Sequence, residues 1–160
     1  MQFAIAIPSD ILNSALVAYV HYLSIILCCL ALLYERLNLK IQPNRQEAIY
    51  MIIADVIYGL AGISLLVSGI LRVRYFGQGA EFYTHNPVFW IKVIIYVAVG
   101  LLSLYPTITY ILWAIPLSKN KTPDVNENLV SRLRLILNIE IFGFAVIPIF
   151  ATFMARGIGL

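Results

Sequence analysis

Apolar residues run for twenty or more positions at four places along the chain, about 11–34, 48–71, 88–113 and 133–154, with short polar or proline-bearing segments between them. An α-helix rises about 1.5 Å per residue and about 20 apolar residues cross the hydrocarbon of a bilayer, so each run predicts a transmembrane helix. The pattern therefore predicts an all-α, antiparallel four-helix bundle, a single domain with short loops. Punctuation at the run ends agrees. Pro8-Ser9-Asp10 offers Ser9 or Asp10 as a cap for the first helix, which Glu35-Arg36 should end. The segment from Asn38 to Glu47, with Lys40, Pro43 and Arg45, reads as a connection, and the second helix closes at Arg72-Val73-Arg74. Asn86-Pro87 opens the third, because Asn is a favoured N-cap and Pro suits a first helical position whose N–H has no partner. Pro106 should kink or end regular helix near Tyr105, and Pro116 marks the exit. Asp124-Val125-Asn126-Glu127 resembles a capping box, and Arg156-Gly157 closes the fourth run.

Each run carries an ionisable residue that hydrocarbon should exclude: His21, Asp55, Lys92 and Glu140. A charge at membrane depth costs roughly 2.5–3.5 kcal/mol on insertion scales and normally faces the bundle interior. Helical phase supports this. At about 100° per residue, Ser14, His21, Ser24, Cys28 and Glu35 share a stripe of the first helix, and Asp55, Tyr58, Gly59, Gly62 and Gly69 share one on the second. Lys92, Tyr96, Ser103, Thr107 and Tyr110 align on the third, and Glu140, Gly143, Ala151 and Met154 on the fourth. The small residues should let neighbouring backbones approach.

Composition and charge then narrow the class. Of 160 residues 61% are hydrophobic and 12% charged, and the mean hydropathy is +0.88. That leaves too little polar surface for a soluble domain and makes the chain an integral membrane protein with the lipid bilayer as its first partner. The net charge of +3 comes from 11 Lys and Arg set mostly at run ends and in loops, where topology explains them without nucleic acid. Seven basic residues (Arg36, Lys40, Arg45, Lys119, Lys121, Arg132, Arg134) fall on the side of the first and third loops and four (Arg72, Arg74, Lys92, Arg156) on the other. The positive-inside rule thus puts both termini on the non-cytoplasmic side. Met1–Ile7 lacks a basic n-region and a cleavage site and does not read as a signal peptide. Cys28 and Cys29, adjacent within a span, read as packed free thiols.

Depth sorts the candidate chemistry. Asp55 and Glu140 lie at similar levels, and two neighbouring carboxylates can share a proton, a candidate proton-handling pair. Hydrogen bonding to neighbouring helices as neutral acids, or pairing with Arg36 or Arg134, is the structural alternative. His21 stands near the midplane, where a histidine serves as a hydrogen-bonded core residue or as a metal ligand. Arg72, Arg74, Lys92 and Arg156 form a cationic rim suited to an anionic group, or anchor the helices at the interface, with Glu81 and His85 near. Tyr75, Phe82, Tyr83, Phe89 and Trp90 suit an aromatic belt. Metal-site, phosphate-loop and nucleophile motifs are missing, as is a two-plus-two repeat of the kind transporters show.

The ordered set Asp55-x-x-Tyr58-Gly59, Gly69-x-x-Arg72, Asn86-Pro87-x-Phe89-Trp90-x-Lys92, Tyr105-Pro106-Thr107, Glu140 and Met154-Ala155-Arg156-Gly157 resembles an uncharacterised family of small bacterial predicted membrane proteins. Nearly the whole chain is covered, and the resemblance implies four helices without an assigned activity. A weaker likeness, carried by the histidine of the first span and the Trp-x-Lys entry to the third, is to haem-containing bacterial protoporphyrinogen oxidase and copper-resistance membrane proteins. It implies haem b, with His21 as axial ligand and metal-binding residue and Arg72 and Lys92 holding the propionates. For the second axial position Met154 or another helix residue is the candidate, or the iron is five-coordinate. These likenesses imply a bacterial inner (plasma) membrane or a thylakoid membrane.

Three functions are therefore open. The chain is a redox protein binding haem b, a non-catalytic accessory or assembly subunit working with other membrane subunits or with copies of itself, or an oligomeric conductor of protons or ions through Asp55 and Glu140.

Overall fold

A computed structural model describes residues 8–159; Met1–Ile7, on which the signal-peptide reading falls, lie outside them. The elements are α1 (Ser9–Asn38), α2 (Arg45–Leu71) continued by a π-helical turn (Arg72–Phe76), α3 (Ala80–Thr84), α4 (Pro87–Leu102), α5 (Leu104–Ser118) and α6 (Glu127–Ala155). Four helical rods are long and apolar enough to cross a membrane: α1, α2 with its π-turn, α4 joined to α5, and α6. All four predicted spans are found, each longer than its apolar run.

The ends show why. At α1 the cap position is Pro8, with Ser9 and Asp10 inside the first turn and no side-chain cap bond. The first turn is held instead by Ile11 and Leu12 N–H donating to the Pro8 carbonyl at 3.1 and 3.2 Å. Its other end runs past Glu35-Arg36 to Asn38. A capping box does exist, but at α2: Asn44 accepts from the Glu47 N–H at 2.9 Å while Glu47 accepts from the Asn44 N–H at 2.8 Å. Before α6 the cap is Asn126, accepting from Leu129 N–H at 2.9 Å, so the box expected at Asp124 is replaced by a single cap two residues later.

Asn86 caps α4 as expected, accepting from Val88 N–H at 2.8 Å with Pro87 in the first turn. Pro106 interrupts the third rod one turn upstream, at Ser103 between α4 and α5, because proline has no N–H for the Leu102 carbonyl and its ring displaces that carbonyl. Pro116 is within α5, which ends at Ser118. At the chain's end Gly157 adopts φ 78°, and Ile158 and Gly157 donate to Phe153 and Met154 carbonyls at 3.1 Å each. This is a Schellman stop. The tail then returns to α4, where Asn86 donates its side-chain amide to the Ile158 carbonyl at 3.3 Å.

α1 packs chiefly on α2 and also on α6; α4 packs on α6 and α5 on α2. The break at Ser103 thus divides the third rod between two neighbours, and the four rods close a ring. Cys28, Leu32, Met51, Tyr110, Leu133 and Leu137 fill it, each at most 2% exposed. Leu60, Ile94, Leu135 and Phe142 face outward as a lipid-covered belt. At Gly143 α6 presses against α4: a Cβ there would lie 2.5 Å from Val99 Cγ2. Gly59 and Gly62 do not act this way. Nothing lies within 4 Å of a Cβ at Gly59, and the two glycines line a crevice of about 170 Å³ with Tyr96, Gly100 and Phe144. Phase places them on one face but leaves open what covers it.

Candidate functional site

The loop half of the bundle, nearer residues 39–44 and 119–126, holds an acid cluster. Asp55 is 6% exposed, Glu140 0% and Glu35 1%. Asp55 Oδ1 accepts from Thr107 Oγ1 at 2.7 Å. Both oxygens of Glu140, one of Glu35 and the hydroxyl of Tyr110 are buried without a hydrogen-bond partner. Glu35 lies within electrostatic reach of Asp55 and Glu140, and Tyr110 of all three. The structure therefore brings together the predicted pair and adds two members, Glu35 from α1 and Tyr110 from α5.

Among the described residues no cation pairs with these acids. Arg36 donates through Nε to Asn138 Oδ1 at 2.6 Å, and Arg134 lines a crevice of about 360 Å³ with Lys40, Glu127 and Ser131. Among the described residues the one ion pair is Lys40–Glu47 at 2.6 Å, on the surface. The alternative pairing of Asp55 or Glu140 with Arg36 or Arg134 is not what the bundle contains.

A polar column climbs from the acids between α1 and α2. Cys28 Sγ contacts the Tyr58 carbonyl at 3.9 Å, and Ser24 donates to Val20 O at 2.7 Å and lies 3.0 Å from Ser64 Oγ. Ser68 donates to the Ser64 carbonyl at 2.7 Å. With its hydrogen given to that carbonyl, Ser68 Oγ, 3.0 Å from His21 Nδ1, is placed to accept from the Nδ1–H tautomer, in which Nε2 would keep its lone pair. Both cysteines are free thiols.

The terminal half, nearer both chain ends, gathers the basic residues. Arg72, in the π-turn, stacks over the Tyr22 ring at 5.2 Å. Lys92 reaches Met154 Sδ at 3.6 Å and lies 5.7 Å from the Phe89 ring centre. Both are half-buried, whereas Arg74 and Arg156 are exposed. His21 is within electrostatic reach of Arg72 and Lys92. His85 bonds the Glu81 carbonyl through Nδ1 at 2.8 Å and is a surface residue.

Haem would need a nitrogen, a second donor and a slot for the ring. His21 Nε2 supplies the first. The nearby thioether of Met154 is engaged by Lys92, the Cε1 edge of His21 lies 3.4 Å from where a Gly69 Cβ would stand, and His21 lines neither crevice. Among the described residues no group of three or more His, Cys, Asp or Glu is placed to hold a metal ion.

Sequence reasoning put Glu35 on the inward stripe, then treated it as the helix terminus because Arg36 follows. The seven-residue spacing Ser14, His21, Cys28, Glu35 was the signal that could have kept it inside. Tyr110 was likewise on its stripe without a role.

No curated protein and no solved structure matches the chain, so the weaker likeness to haem-containing proteins has no support there. Residues 13–159 match the family described as predicted membrane protein DUF2214, and the chain belongs to that family.

Proposed function

We propose that the protein binds and passes protons within the membrane through Glu35, Asp55, Glu140 and Tyr110. The observation that carries this reading is Glu140, fully buried with both carboxylate oxygens unpartnered beside two further acids and no cation. Three ionised carboxylates in a low-dielectric interior would repel one another and forgo hydration. A proton is the smallest partner that removes the charge, and an adjacent acid or phenol is the group to which it can move. Thr107 holds one Asp55 oxygen and leaves the other for exchange. The column from Tyr58 through Ser64, Ser24 and Ser68 to His21 supplies exchangeable hydrogens toward the other half.

Proteoliposomes carrying a pH gradient and an internal pH dye test it. The wild type is expected to dissipate the gradient, and the triple variant Glu35→Gln, Asp55→Asn, Glu140→Gln to hold it. Equal rates for the two would end the proposal. Infrared difference spectra should also show a carboxylic-acid carbonyl band that Glu140→Gln removes.

A second reading rests on His21. A ring fixed through Nδ1–H, with Nε2 free, is how a metal-ligating histidine is oriented, and haem b there would supply one-electron chemistry. It requires a Soret band in protein expressed with ample haem, and that band must vanish in His21→Ala.

A further inference from the structure

Two cations occupy the terminal half of the interior, and nothing described there answers their charge. Arg72 and Lys92 come from different rods, are half-buried and lie within electrostatic reach of each other. Their described contacts are a tyrosine face, a phenylalanine face and a thioether. Aromatic faces and sulfur are weak acceptors that leave most of the guanidinium fork and the ammonium donors unused. The acids described at this end, Asp10 and Glu81, are exposed and pair with neither.

The geometry around Arg72 is also specific. α2 widens into a π-turn at this residue, the kind of local bulge that re-aims a side chain and recurs at functional sites. Ser14 on α1 bonds the Phe76 carbonyl at 3.5 Å and ties that turn to the bundle. His21 is within electrostatic reach of both cations, and in the tautomer whose Nδ1–H bonds Ser68 its Nε2 can accept. Two cationic donors and one neutral acceptor suit a ligand that is anionic yet carries a hydroxyl. Phosphate in its singly protonated form is such a group: its charged oxygens take the Arg fork and the Lys ammonium, and its P–OH donates to the imidazole. A fully ionised carboxylate would leave Nε2 unpaired.

We propose that Arg72, Lys92 and His21 form a phosphate-binding site in the terminal half of the bundle. The same chemistry reaches it from two sources, free phosphate from the aqueous side or a phosphomonoester lipid such as phosphatidic acid from the bilayer, since Tyr22 and Ile91 at its border are exposed to lipid. The site uses none of the carboxylates of the proton reading and stands or falls without them.

Protein purified in a maltoside detergent, which carries no phosphate, allows both arms. In one, inorganic phosphate is titrated and followed by calorimetry; in the other, nanodiscs of phosphatidylcholine with 10% phosphatidic acid, as opposed to 10% phosphatidylglycerol, are tested for lipid retained after extraction, by native mass spectrometry. Saturable binding in either arm is expected, weakened about tenfold or more by Arg72→Gln and by Lys92→Gln, because a charge-assisted hydrogen bond contributes that much to affinity. Arg74→Gln and Arg156→Gln, exposed cations of the same end, should leave it unchanged. Binding in the first arm alone assigns free phosphate; retention of phosphatidic acid alone assigns the lipid. Where Arg72→Gln does not fold, Arg72→Lys keeps the charge, loses the fork and should still weaken binding. No binding in either arm, or equal weakening by all four neutralising variants, overturns the site. So does a Soret band that Arg72→Gln and Lys92→Gln abolish, which would give these cations to haem carboxylates.

Discussion

Acids and bases sit at opposite ends of one polar interior, and they are shielded to different degrees. Glu35, Asp55 and Glu140 are each at most 6% exposed and Arg72 and Lys92 are half-buried, and among the described residues none of the five has an ion-pair partner. Exposure sets the size of what can complete each charge. Glu140 shares its interior with Leu133, Leu137 and Tyr110, all with almost no accessible surface, which suits the proposed proton as its partner. Arg72 and Lys92 each keep part of their surface accessible, so a larger group can approach them. The proposed proton and phosphate sites would thus differ because the acids are buried while the two cations are only half-buried.

The largest effect that would break this comparison is in flux. Neutralising the three acids together should lower proton leak to the level of protein-free liposomes, while Arg72→Gln or Lys92→Gln should change it by less than about twofold, since separated sites act nearly independently. Equal losses from both sets would mean that the halves form one pathway rather than two sites. The measurement is the same dye assay on matched protein densities.

Packing provides the next test. Gly143 seats α6 against α4 between the halves, and a methyl there would meet Val99 Cγ2 at 2.5 Å. Gly143→Ala should therefore cost about 1–3 kcal/mol of stability in equilibrium unfolding from mixed micelles. Gly59→Ala, with nothing within 4 Å, should stabilise by up to about 1 kcal/mol through the lower entropy of the unfolded chain. Similar costs at both would show that the crevice beside Gly59 is closed in the bilayer, most simply by another helix.

Much of this was legible in the sequence because it is local or periodic. Span number, the Asn86-Pro87 start and the inward direction of His21, Asp55, Lys92 and Glu140 follow from hydropathy, cap chemistry and helical phase. What escaped depends on distance between rods. Glu35 looked like a terminus because its neighbour Arg36 belongs at an interface, yet α1 continues for a further turn and Arg36 turns aside to Asn138. Phase gave Gly59, Gly62 and Gly143 equal standing; only the path of α4 past α6 decides which one is pressed by a neighbour. The π-turn at Arg72 left no local mark, because it reflects how the chain must leave α2 to reach Ser14.

The smallest effect reaches furthest into the terminal site. Ser68 has one hydrogen, and while it is given to the Ser64 carbonyl at 2.7 Å the 3.0 Å contact with His21 runs from Nδ1–H to the hydroxyl. Ser68→Ala should cost only about 1 kcal/mol, the usual net value of such a bond. It should nevertheless be visible in nitrogen NMR of labelled His21, where the wild type shows the Nδ1–H tautomer and the variant a mixture. If the wild type instead carries its hydrogen on Nε2, Ser68 must give up the Ser64 carbonyl, and Nε2 becomes a donor. The terminal half would then present donors alone, and a fully ionised anion would suit it better than protonated phosphate.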